Sequence, residues 1–144
     1  MKYYVKVLKE YVNFKGRARR SEYWYFFLFN LIFAIIAVGI DNLLGTTLKV
    51  DSAYGVVDLH YGYVYILYLL AIIIPGLAVS VRRLHDVGKS GWFYFIAFIP
   101  FIGGIWLLIL FFTDSVVGEN KWGPNPKGIG NFDDIDQIGS YITK

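Results

Sequence analysis

Polar and apolar residues are strongly segregated along this chain. Three stretches, Tyr23–Ile40, His60–Val81 and Gly91–Thr113, contain no Asp, Glu, Lys or Arg. Each has the length, about 17–25 residues, that a helix needs to cross a hydrocarbon layer roughly 30 Å thick. Lipid cannot satisfy an open backbone, so such stretches must fold as helices. The pattern predicts an all-α membrane protein with three transmembrane helices, over about residues 23–43, 61–81 and 92–112. In the third, the Leu, Ile and Phe side chains between Trp92 and Phe112 favour insertion by roughly 4–8 kcal/mol, enough to outweigh Pro100 and the Gly103–Gly104 pair.

A different period precedes these stretches. Over residues 2–14, Tyr4, Val7, Leu8, Tyr11 and Phe14 recur on one helical face, and Lys2, Lys6, Lys9, Glu10 and Asn13 on the other. A basic amphipathic helix just before an anchor is expected to lie in the membrane interface. Gly16 should end it, with Ser21 as the N-cap of the first span and Glu22 complementing its dipole. Asn30, alone deep in that span, is expected to make an interhelical hydrogen bond. Pro75 should kink the second span, because it has no N–H for the Ala71 carbonyl. Gly76 and Ser80 offer a small-residue face for a close helix. Residues 43–59 have no clear period. Residues 1–127 read as one transmembrane domain and 128–144 as a flexible acidic tail.

Composition agrees with a membrane class: 56% hydrophobic and 17% charged residues, against about 25% charged in soluble domains. With no cysteine there is no disulfide or thiolate site. The first apolar run follows some 22 residues and lacks a small-residue cleavage pattern, so it is expected to be an uncleaved anchor. Lys2, Lys6, Lys9, Lys15, Arg17, Arg19 and Arg20 precede it, and Arg82, Arg83 and Lys89 lie between the second and third spans. The alternate segments hold only Lys49, Lys121, Lys127 and Lys144. This asymmetry places the N-terminus in the cytoplasm, and three crossings would then leave the C-terminus outside.

The candidate chemistry sits at the cytoplasmic ends of the spans. Arg17, Arg19, Arg20, Arg82, Arg83 and Lys89 are candidate ligands for anions or lipid headgroups, since guanidinium forks match phosphate oxygens. Glu22, His85, Asp86 and Ser90 are candidate ion-pair and hydrogen-bond partners. Asp86 can reach Arg82 at i−4 or Arg83 at i−3, and Ser90 can cap the third span. The same residues could equally serve only to orient and lock helix ends, or His85 and Asp86 could form an acid–base pair. His60 and His85 fall on opposite sides, so no metal site is expected. No P-loop or nucleophile elbow is present, no cofactor is implied, and nucleic acid is not expected as a partner.

Three ordered motifs, F-x-G-R-A-R-R-S-E-Y-W (Phe14–Trp24), R-R-L-H-D-x-G-K-S-G-W (Arg82–Trp92) and N-K-W-G-P-N-P (Asn120–Pro126), resemble the DUF805 family of small bacterial inner-membrane proteins. The resemblance implies a multi-pass protein of the bacterial inner (plasma) membrane. The family is one of unknown function and supplies no catalytic residues, cofactor or substrate. The expectation is therefore a non-enzymatic membrane-interaction or envelope protein whose arginine cluster engages anionic membrane lipids or a protein partner. A homo-oligomer or a membrane-protein partner is expected because so few spans rarely enclose a pathway. The rival readings are a small transport or channel subunit, and an enzyme acting on lipid phosphates.

Overall fold

In the computed structural model, which describes residues 1–131, two helices are long and apolar enough to cross a membrane. They are α2 (Arg20–Leu44) and α3 (Tyr63–Asp86), preceded by a short helix α1 (Lys2–Lys9). At 1.5 Å per residue the two long helices measure about 36–38 Å. Their outer faces present Phe27, Leu31, Ile35, Leu67, Leu70 and Ile73, the surface that a bilayer solvates. Gly45 ends α2 in the left-handed region, where the absence of Cβ removes the steric penalty. Ser21 does not cap α2: the helix begins at Arg20, with Arg19 in extended conformation ahead of it. Most of the expected tail, residues 132–144, lies outside the described residues.

Helix α1 is shorter than its periodicity predicts, and its apolar face packs on protein. Val7 is fully buried with Ala18, Phe26 and Val79, and the Tyr4 ring stacks on Phe26 and leans on Phe29 and Phe33. Beyond it, the Tyr11 hydroxyl donates to the Ala71 carbonyl. That carbonyl is the one Pro75 leaves without an i+4 donor, so a residue sixty positions away repairs the break in α3. Asn30 makes the expected interhelical bond, its Oδ1 accepting from the Tyr68 hydroxyl at 2.5 Å.

The segment between α2 and α3 forms an antiparallel hairpin, β1 (Thr47–Ser52) and β2 (Gly55–Gly62). Asp41 closes its base. This fully buried carboxylate accepts the N–H groups of Gly62, Val64 and Tyr65 at 2.9–3.1 Å and the Thr46 hydroxyl at 2.6 Å. It thereby caps the N-terminus of α3 from another helix, supplying acceptors that the first turn of any helix lacks.

The third apolar segment departs from the expected single span. It is a 3-10 helix over Gly91–Phe98, a break at Ile99–Phe101, and α4 (Ile102–Phe112). The 3-10 winding brings every third residue into line, and Trp92, Phe95 and Phe98 stack with centroids 5.6 and 6.0 Å apart. Pro100 forces its neighbour Ile99 into extended conformation, and Phe101 takes a φ of 66°, a conformation unfavourable by about 1–3 kcal/mol for a non-glycine residue. A Cβ on Gly103 would lie 1.7 Å from the Ile96 carbonyl oxygen, so only glycine lets the two halves approach. Each half is about 16 Å long, half a bilayer. The two halves fold back against each other. Thr113–Asn131 consequently lies at the same end of the α2–α3 pair as Arg17 and Asp86, not at the β-hairpin end where a third crossing would deliver it.

The repaired proline break yields a prediction. Tyr11→Phe should destabilise the fold by about 1 kcal/mol, the net worth of one hydrogen bond. In a Pro75→Ala background the same change should have little effect, because residue 75 then supplies the donor. Thermal unfolding of the four proteins in detergent measures this coupling.

Candidate functional site

The last turn of α3 carries Arg82, Arg83, His85 and Asp86, all buried, at the end of the pair where the chain enters α2. Asp86 is the hub. One carboxylate oxygen accepts from Arg17 Nε at 3.0 Å; the other accepts from Arg83 Nη1 and from the Ser115 hydroxyl at 2.6 Å. Its backbone carbonyl takes the Val116 N–H at 3.0 Å. The i, i+3 pairing with Arg83 was open to sequence; the pairing with Arg17, 69 residues away, was not.

Both arginines use their remaining donors on backbone carbonyls. Arg17 reaches the Val116 carbonyl at 2.6 Å and those of Gly118 and Gly123 at 2.7 and 3.3 Å. Arg83 reaches Phe111 at 3.4 Å and Thr113, carbonyls that the end of α4 leaves without intrahelical donors. Two guanidinium forks thus hold the chain leaving α4 against the chain entering α2.

The third sequence motif completes this end. The His85 ring stacks on Trp122, centroids 4.5 Å apart and planes 11° from parallel, while its Nδ1 lies 3.1 Å from the Gly16 carbonyl oxygen. Asn120 donates to the His85 carbonyl at 3.0 Å, and buried Asn125 donates to the Val116 carbonyl at 2.9 Å. Asn120, Trp122 and Asn125 were not candidates from sequence. The N-K-W-G-P-N-P motif that contains them carried the family resemblance, but no apolar period or charge marked its side chains as part of the site.

The remaining candidates lie around this core. Arg82 is buried and pairs with Glu10 through Nη1, while its Nε and Nη2 are buried without partners. Arg19 is half-buried and donates to the Pro126 carbonyl. Arg20 is half-buried and Lys89 exposed, its Nζ 5.5 Å above the Phe93 ring. Glu22 is buried and accepts from Lys6 at 2.8 Å. Ser90 is exposed and makes no side-chain cap. Arg17 and Arg83 are therefore committed internally, and the candidates with outward exposure are Arg19, Arg20 and Lys89.

The chain matches the family described as Protein of unknown function (DUF805) over residues 11–124. It is 43% identical over 127 residues to the Inner membrane protein YhaI of Escherichia coli (strain K12), covering 88% of this chain and 97% of that one. It is 42% identical over 129 residues to the Inner membrane protein YhaH of the same strain, covering 88% and 98%. No solved structure matches. The family match contains all three segments that meet at Asp86.

Two outcomes follow. Asp86→Asn leaves two buried guanidiniums without their charge partner and should destabilise by about 3–5 kcal/mol, read as lost abundance in membranes and a lowered Tm in detergent. His85→Ala removes the ring that stacks on Trp122 and should loosen residues 120–123. Hydrogen exchange at Asn120–Gly123 should therefore be faster in His85→Ala than in the parent protein.

Proposed function

From the membership of this chain in the DUF805 family, we propose an inner-membrane protein that is not an enzyme, with both ends of its membrane domain on the cytosolic face and a cationic surface there that engages anionic lipid headgroups. The observation that carries the reading is the separation of two kinds of basic residue at one end of the α2–α3 pair. Arg17 and Arg83 hold the fold together in the interior, whereas Lys2, Lys6, Lys9 and Lys89 are exposed and Arg19 and Arg20 half-exposed around them. Each exposed cation near an anionic leaflet contributes about 1 kcal/mol.

The orientation is supported by the returning third segment. With Lys121 and Lys127 brought to the Arg17 end, Lys49 is the one cation at the β-hairpin end among the described residues. A bias this strong orients such proteins with the basic end in the cytosol. The non-enzymatic reading is supported by the occupancy of Asp86 and His85. A general acid or base must be within reach of a substrate proton, and here the carboxylate holds two guanidiniums and a hydroxyl while the imidazole is covered by Trp122. A transport subunit that flexes at Pro75 finds less support, because Tyr11 ties down the carbonyl that a hinge would release. The tip of the re-entrant segment favours a protein neighbour: Phe98 and Phe101 are largely exposed, and irregular backbone at membrane depth is tolerated where protein covers it.

The orientation is tested by single cysteines in this cysteine-free chain. Lys2→Cys and Lys127→Cys should react with an impermeant reagent only from the cytosolic side, and Tyr54→Cys only from the other. Labelling of residues 54 and 127 from the same side would overturn it. For the lipid contact, anionic lipid should be enriched in the purified protein's annulus and fall when Arg20 and Lys89 are both changed to Gln. An unchanged lipid profile at unchanged abundance would remove that contact.

A further inference from the structure

Between α1 and the start of α2 lies a cavity of about 640 Å³, within the roughly 300–1,000 Å³ typical of small-ligand sites. Lys2, Lys6 and Lys9 line it from α1, Arg19 and Glu22 line it from the foot of α2, and Pro126 closes the rim. Four cations face a single carboxylate there, so the cavity is strongly positive. Glu22 is 1% exposed, and only half of it is engaged: Oε1 holds Lys6 Nζ at 2.8 Å, while Oε2 is buried with no hydrogen-bond partner. A buried acceptor without a donor is unfavourable. Oε2 has no surface open to a water-sized probe, so a donor reaches it only as the flexible lysine side chains lining the cavity move aside for a ligand that also matches their charge.

The depth of the cavity narrows the choice of ligand. Glu22 immediately precedes the charge-free run that starts at Tyr23, and Tyr3 in the cavity wall stacks on Tyr25 with centroids 5.7 Å apart. Aromatic rings of this kind settle at the headgroup level. The mouth of the cavity therefore opens where phospholipid headgroups lie, with exposed lysine stems able to follow them.

We propose that this cavity binds the headgroup of an anionic glycerophospholipid. Its phosphodiester sits against Lys2, Lys9 and Arg19, and a headgroup hydroxyl donates to Glu22 Oε2. This rests on the reading that the basic end meets an anionic leaflet, and it replaces diffuse attraction with one site of defined chemistry. Inorganic phosphate shares the phosphate chemistry but cannot supply the alcohol donor.

The test compares two lipids of equal charge, phosphatidylglycerol and phosphatidylmethanol, each doped into phosphatidylcholine nanodiscs holding the full chain. Only the first has headgroup hydroxyls. Native mass spectrometry should show phosphatidylglycerol retained about tenfold more than phosphatidylmethanol, the ratio given by one hydrogen bond to a charged group. Glu22→Gln, which removes the negative charge and turns an amide N–H toward the cavity, should raise retention of both and bring their ratio toward one. Lys2→Gln with Lys9→Gln, on exposed side chains that the fold does not need, should lower retention of both. Equal retention of the two lipids by the parent protein overturns the site while leaving the general lipid reading intact. If neither lipid exceeds phosphatidylcholine, both the site and the general lipid reading are overturned. Displacement of phosphatidylglycerol by millimolar inorganic phosphate would assign the cavity to a soluble anion instead and overturn the lipid proposal.

Discussion

Asp86 is a carboxylate with no exposure in a largely apolar molecule, and a charge in that position is tolerated only when it is paired and fully hydrogen-bonded. It meets this condition with groups from three separate parts of the chain: Arg17 ahead of α2, Arg83 on its own helix and Ser115 after α4. Much of the architecture follows from this meeting. The start of α2 is fixed against the end of α3. The chain must reverse within Val87–Ser90 and leave α4 where Arg83 can take its last carbonyls. An apolar segment that begins at Gly91 beside Val81 and ends at Thr113 beside Arg83 has both ends in one place. Such a segment turns back to the end of the α2–α3 pair from which it started.

Insertion and crossing are separate properties. Summed transfer free energy says whether a segment prefers hydrocarbon, and for residues 92–112 that sum is strongly favourable. It is silent about whether the backbone runs straight. Pro100 and Gly103 change the total little, yet they decide the path: the proline stops the first half, and the missing Cβ at 103 lets the second fold back against Ile96. The lock at Asp86 then favours the returned form, because only that form brings Ser115 and the Val116 carbonyl to their partners.

The two long spans were legible because their signal is local and long, a run of apolar residues without charge. The Arg83–Asp86 pair and the carbonyl freed at Pro75 were legible because helical spacing alone determines them; for Asn30 the need of an interhelical bond was legible, but not its partner Tyr68. What could not be read depends on groups distant in sequence. Nothing near Ala71 identifies Tyr11 as its donor, and nothing near Tyr63 identifies Asp41 as its cap. The hairpin over 47–62 lacks the strict alternation that marks a half-buried strand, since it is exposed on both faces for most of its length. Residues 120–126 have the glycine and proline content of a linker, but their order comes from a ring stack and two asparagines, which have no periodicity to detect.

The division between arginine and lysine at this end has a physical basis that joins fold to function. A guanidinium presents five donors in a plane and is less strongly hydrated than an ammonium, so it can be buried where a carboxylate and several carbonyls converge. Arg17 and Arg83 occupy such points. An ammonium on a four-carbon stem keeps its hydration and its mobility, and Lys2, Lys6, Lys9 and Lys89 are all exposed. Arg17 and Arg83 therefore have no freedom left to bind a ligand, and the rim is built from cations that have kept theirs. A ligand for this face has to be sought among the lysines and the half-exposed Arg19 and Arg20, although the arginine-rich motifs are what the sequence displays most plainly.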